Sequence, residues 1–138
     1  MSQLVVKVIL DSNFLFVPLQ FRIDIFDEIE KIMGEKVELT VLSTTIEELE
    51  RLVKKGKDKI SRQASFALEI AKKCRILEVK RLPGESNDDV IVKVAKELRC
   101  PVATNDRILK GRLRNMGVAV IYVREKSHLE MEGAPQHV

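Results

Sequence analysis

The chain has 138 residues, 45% of them hydrophobic and 33% charged, which is enough for one packed core and too few for two. This balance excludes a disordered segment, and the lack of any run of about 18 apolar residues excludes a membrane-spanning helix. The net charge of +3 hides a division: residues 51–62 and 107–126 each hold six Lys or Arg against one acid, so together they carry +10 and the remainder −7. Segregated basic charge suits a polyanion such as nucleic acid, and it equally suits the solvated face of a helix.

Leu4 to Leu10 is rich in Val and Ile and predicts a buried strand. It stops on Asp11, followed by Ser12 and Asn13 before a second apolar run begins. "RIDIFDEIEKIM" puts Ile25, Ile29 and Ile32 with Phe26 and Met33 on one helical stripe that Gly34 ends. Alternation of Val37, Leu39 and Val41 marks a second strand. "TTIEELERLVKK" predicts a helix ending before Gly56, and a further helix from about Lys59 to Lys73 has Ile60, Ala64, Ala67, Leu68 and Ala71 inward. "RILEVK" reads as a third strand and "RLPGESN" as a loop. A helix from about Asp88 to Arg99 turns Val90, Ile91, Val94, Ala95 and Leu98 inward. "CPVAT" is a short strand, "NDRILKGRLRNM" a helix and "VAVIYV" the last strand. Residues 125–138 lack periodicity and are expected to be mobile or docked on a partner.

No secretion signal is legible at the N-terminus, and Cys74 and Cys100 form no C-x-x-C. The expected setting is therefore a reducing cytoplasm, with both thiols buried. Strands alternating with helices imply an α/β fold with a largely parallel sheet, whose chemistry gathers at the carboxyl ends of its strands.

Four positions there carry acids, and each has a structural alternative. Asp11 ends the first strand, where it could serve a turn. Glu48 lies one turn into its helix, where Thr45 and Glu48 also spell a capping box. Asp88 and Asp89 stand at a helix start, with Ser86 and Asp89 at capping-box spacing, and Asp106 could cap the helix after the fourth strand. Taken together, Asp11, Glu48, Asp88 and Asp106 could converge on one rim, where they would repel one another and raise each other's pKa values. One or two Mg2+ or Mn2+ ions would relieve that repulsion, and all-oxygen ligation suits those hard ions. His128 and His137 lie in the tail and are not read as ligands. No G-x-G-x-x-G follows the first strand, and no aspartate follows the third as a receiver domain needs.

"VILDSNFLF", "TTIEELERL", "SNDDVIVKVAKEL" and "PVATNDRILKGRLRNMGVAVIYV" resemble, in order, the four acidic blocks of PIN-domain ribonucleases. The likeness covers roughly residues 4–124, so a PIN domain is expected at 1–124. It leans towards the archaeal proteins related to eukaryotic ribosomal-RNA-processing PIN nucleases rather than the toxin branch of toxin–antitoxin pairs. It implies a three-layer α/β/α fold with a central, mostly parallel sheet, and a metal-dependent endoribonuclease leaving 5′-phosphate and 3′-hydroxyl ends. Asp11, Glu48, Asp88 and Asp106 match the four family acids, with Asp89 a rival for the third. Ser12, Asn13, Thr104 and Asn105 match the polar residues that support them. Lys54, Lys55, Lys57, Arg62, Arg107, Lys110 and Arg112 are the candidates to hold single-stranded or loop RNA. A homodimer and ribosome-assembly partners are family-level expectations. The alternatives are an RNA- or ribosome-assembly-binding module of the same fold that cuts little, and a toxin-type ribonuclease of a toxin–antitoxin pair.

Overall fold

The computed structural model describes residues 5–134. Leu4 of the first expected strand and His137 of the tail lie outside the described residues. In chain order the elements are β1 (Val6–Leu10), a 3-10 helix (Ser12–Phe16), α1 (Val17–Phe21), α2 (Ile25–Met33), β2 (Val37–Leu42), α3 (Ser43–Lys55), α4 (Asp58–Ala71), β3 (Arg75–Leu77), α5 (Asn87–Leu98), β4 (Val102–Ala103), α6 (Arg107–Asn115), β5 (Val120–Arg124) and β6 (His128–Glu132).

The strands form one sheet in the order β3-β2-β1-β4-β5-β6. The first five are parallel, each reached through at least one helix, and β6 pairs antiparallel with β5. Alternate residues of β1 feed two cores because successive side chains point to opposite faces. Val8 and Leu10 pack with Ile25 and Ile29 of α2 and with Ala67 and Ile70 of α4. Ile9 packs with Val90 and Ile91 of α5 and with Leu109 and Leu113 of α6. The result is the expected three-layer α/β/α arrangement. The apolar run after Asp11 plugs the first core with Phe14 and Leu15, both fully buried.

Chain direction reverses its march across the sheet at β1, since β2 lies on one side of it and β4 on the other. The gap between the carboxyl ends of β1 and β4 is thus the topological switch point, where open α/β sheets leave a crevice. Asp11 and Thr104 stand immediately beyond those two ends.

Three expectations need correction. Residues 128–132, expected in a mobile or partner-docked tail, form the edge strand of the sheet. The turn before it runs through Glu125 and Lys126 at φ 54° and 56°, where Asn-Gly is the usual signal, so nothing in the sequence announced a hairpin. Ile60 and Leu98 were expected inward but are 49% and 39% exposed. Each lies near the free end of its helix, Ile60 at the start of α4 and Leu98 at the end of α5, where cover is incomplete. Finally, β3 and β4 are shorter than "RILEVK" and "CPVAT" suggested. Cys100 is buried as expected but Cys74 is only half-buried; both are free thiols, and burial pushes each up to about 11. Among the described residues no helix is long and apolar enough to cross a membrane.

Candidate active site

Asp11 is the anchor of the switch point, and it is only 6% exposed. Its Oδ1 accepts from the Ser12 backbone N–H at 2.8 Å, while Oδ2 accepts from Thr104 Oγ1 at 2.7 Å and Asn13 Nδ2 at 3.0 Å. Asn13 also reaches Thr104 Oγ1 at 3.3 Å, and its Oδ1 accepts from the Asn105 N–H at 3.1 Å. Asn105 in turn accepts from the Val123 N–H through Oδ1 at 2.9 Å. All four polar residues expected to support the acids therefore join one network that ties β1, β4 and β5 together.

Electrostatics link the acids. Burial pushes the Asp11 carboxyl up to about 6, against the lowering effect of its bonds to Thr104 and Ser12, and the charges of Asp88 and Glu48 push it in the same direction as burial. Asp88 is likewise raised, first by burial and then by the charge of Asp106. Asp11, Glu48, Asp88 and Asp106 thus share one electrostatic neighbourhood at the rim.

The bland alternatives divide sharply. For Glu48 the capping box is not formed: α3 begins at Ser43 behind Leu42, without a side-chain cap. Ser43 instead bonds the Val79 backbone, and Glu48 Oε1 accepts from Asn87 Nδ2 at 3.1 Å. Asp106 does cap α6, but both its bonds, from Ile108 N–H and Leu109 N–H, fall on Oδ1. Asp89 forms the full capping box with Ser86 and also pairs with Arg112 at 2.8 Å; the Ser86 backbone N–H and then Arg112 hold its carboxyl below the usual carboxylate range, so it stays ionised and committed. Asp88 has neither a hydrogen bond nor an ion pair among the described residues.

The chemistry of this donor set fits a hard divalent cation, since it offers carboxylate and hydroxyl oxygens and no thiolate or imidazole. Among the described residues no three His, Cys, Asp or Glu side chains close on a single point as they stand.

The basic candidates fare unevenly. Lys110 sits 3.7 Å over the Tyr122 ring and pairs with Glu132 at 3.2 Å, and Arg112 pairs with Asp89. These two cations already have intramolecular partners. Lys54, Lys55, Lys57 and Arg62 lie at the exposed tip of the α3–α4 hairpin. The 13 residues of α3 put that tip roughly 18 Å along the helix axis from the rim end. Arg107 stays exposed at the rim, and it lines an open groove of about 780 Å3 with Asn13, Thr104, Asp106, Tyr122 and Lys126. Neither Arg107 nor Lys126 has an ion-pair partner among the described residues. Lys126 lies beyond the last expected strand, and Asn87 lies outside the polar pairs beside the first and last acids, so neither carries a sequence signal of its own.

The sequence and the fold resemble those of known proteins. The PIN-like domain family matches residues 8–126. Ribonuclease VapC4 of Methanocaldococcus jannaschii is 35% identical over 134 residues, which cover 92% of this chain and 97% of that protein. The rRNA-processing protein fcf1 of Schizosaccharomyces pombe is 34% identical over 122 residues, covering 84% of this chain but 58% of its own length. Among solved structures, the PIN domain endonuclease Utp24 superposes with a TM-score of 0.76 at 30% identity, covering 96% of this chain and 95% of that one. The chain therefore belongs to the PIN-like domain family and is related to PIN-domain ribonucleases and rRNA-processing PIN proteins.

Proposed function

We propose that the protein is an Mg2+- or Mn2+-dependent endoribonuclease that hydrolyses RNA phosphodiester bonds at the switch-point rim. The observation carrying this reading is a buried Asp11 that is held by three donors and raised by the charges of Glu48 and Asp88. A rim that crowds acids in this way is costly for the fold unless a cation neutralises it.

Asp11, Glu48, Asp88 and Asp106 would hold the cation, with Asp89 left to its cap. A bound Mg2+ or Mn2+ supplies Lewis-acid chemistry, acidifying water for attack at phosphorus and stabilising charge on the leaving oxygen. Ser12, Asn13 and Thr104 orient Asp11, and Asn105 fixes Asn13. Arg107 and Lys126 would hold backbone phosphates along the groove, where Tyr122 and Phe21 offer apolar walls. Few aromatic residues are available for stacking bases, so contacts to phosphate and shape dominate over base sequence.

Relatives named as a ribonuclease and as an rRNA-processing protein put ribosomal-RNA precursors first among substrates to try. The test is cleavage of such a precursor with Mn2+ or Mg2+, with chelator, and with the Asp11→Asn variant. Cleavage should need the cation and the carboxylate. Undiminished cutting by the variant, or in chelator, would overturn the reading.

A further inference from the structure

Three side-chain oxygens among the described residues are buried without a hydrogen-bond partner: Thr44 Oγ1, Thr45 Oγ1 and Asn87 Oδ1. The two hydroxyls can rotate, but the Asn87 amide cannot turn around freely. Its nitrogen faces Glu48 Oε1 at 3.1 Å, and only the nitrogen of an amide can donate to a carboxylate. The oxygen is therefore forced into its partnerless position.

Asn87 is the first residue of α5, where other residue types would start the helix as well, so its identity is not set by the helix. Its one specific contact is to Glu48, 39 positions earlier, and its chain neighbour is Asp88. Through Asn87 the second acid is tied to the backbone that carries the third.

We infer that Asn87 is a positioning residue of the cation site, holding Glu48 by Oε1 so that Oε2 faces the shared rim. This rests on the metal-dependent reading above. The amide adds no charge to a neighbourhood already crowded with carboxylates, and it fixes the rotamer of a long, otherwise flexible side chain.

Mn2+ titration calorimetry on wild type, Asn87→Ala, Glu48→Gln and the double variant tests it, with thermal melting in chelator alongside. Asn87→Ala should weaken Mn2+ binding at least about 10-fold, the scale of groups that orient metal ligands. Its melting temperature in chelator should stay the same or rise, and in the Glu48→Gln background it should cost no further affinity. Unchanged Mn2+ affinity in Asn87→Ala, or a fall in chelator-state melting without loss of affinity, would make Asn87 a structural tie and overturn the inference alone. If the wild type takes up no Mn2+, the metal reading falls and this inference with it. An equal loss of affinity in both backgrounds would show that Asn87 does not act through Glu48.

Discussion

Two segments of this chain look alike in sequence and behave differently in three dimensions. Residues 51–62 and 107–126 each carry six Lys or Arg and one acid. In the first, at the α3–α4 tip, none of the cations has an ion pair among the described residues. In the second, Lys110 and Arg114 pair with Glu132, Arg112 with Asp89 and Arg124 with Glu130; of the groove cations Arg107, Lys110 and Lys126, Arg107 and Lys126 have no ion pair among the described residues. Charge density along a chain therefore says little about availability. The basic α6 chiefly fastens the edge strand β6 and the start of α5, whereas the 51–62 segment presents its cations to solvent.

The largest effect should come from the rim itself. Asp11→Asn should lower cleavage by more than about 100-fold, beyond the loss typical of groups that only orient ligands. The same change removes a buried charge, which favours the fold in chelator at neutral pH, but it also puts an amide N–H against donors from which Asp11 accepts, which opposes that gain. Undiminished cleavage would take Asp11 out of the mechanism.

The pH dependence sharpens this point. An unfolded Asp11 releases its proton near 3.8 and the folded one near 6. Between these values the native state binds more protons, so stability in chelator should fall as pH rises through the window, by about 3 kcal/mol in total. Metal must displace that proton, so Mn2+ affinity should weaken as pH drops below about 6. Asp11→Asn should flatten the stability profile, which chemical denaturation at several pH values would show.

Next in size is the contrast between the two basic regions. Replacing Arg107 and Lys126 with Gln should reduce the salt slope of RNA binding by about 1.4, at roughly 0.7 per phosphate contact on a single strand. Replacing Lys54, Lys55 and Lys57 with Gln should weaken binding of long RNA but leave a short oligonucleotide unaffected, because the tip lies farther from the rim than the roughly 8 Å Debye length at physiological salt. If short and long RNA lose affinity equally in the tip variant, the spatial distinction fails. Smallest of all should be Lys110→Met. This change should cost below about 1 kcal/mol through the half-exposed Glu132 pair and leave the salt slope unchanged, since Lys110 serves β6 rather than RNA.

Much of the architecture was legible because local patterns and tertiary demands agree. Alternating Val37, Leu39 and Val41, the stripe of Ile25 and Ile29, and the Asp106 cap all favour the element that forms. β6 was hidden because its turn uses Glu125 and Lys126 in the left-handed region, a conformation those residues do not advertise. The acids were legible as positions, each near the junction of a strand and a helix. Their states were not, because an acid that could cap a helix or ligate an ion reads the same in one dimension.

The sequence alone determined the class of the fold and the order of its acids, since hydrophobic periodicity and turn residues act over a few positions and need no partner to be read. Tertiary structure decided which charges are free. Asp89 was taken by Arg112 and Lys110 by Glu132, while among the described residues Asp88, Arg107 and Lys126 kept no ion-pair partner. Pairing of that kind depends on distances across the fold that only the packed sheet sets, because the strength of an ion pair depends on separation in space and not on separation along the chain.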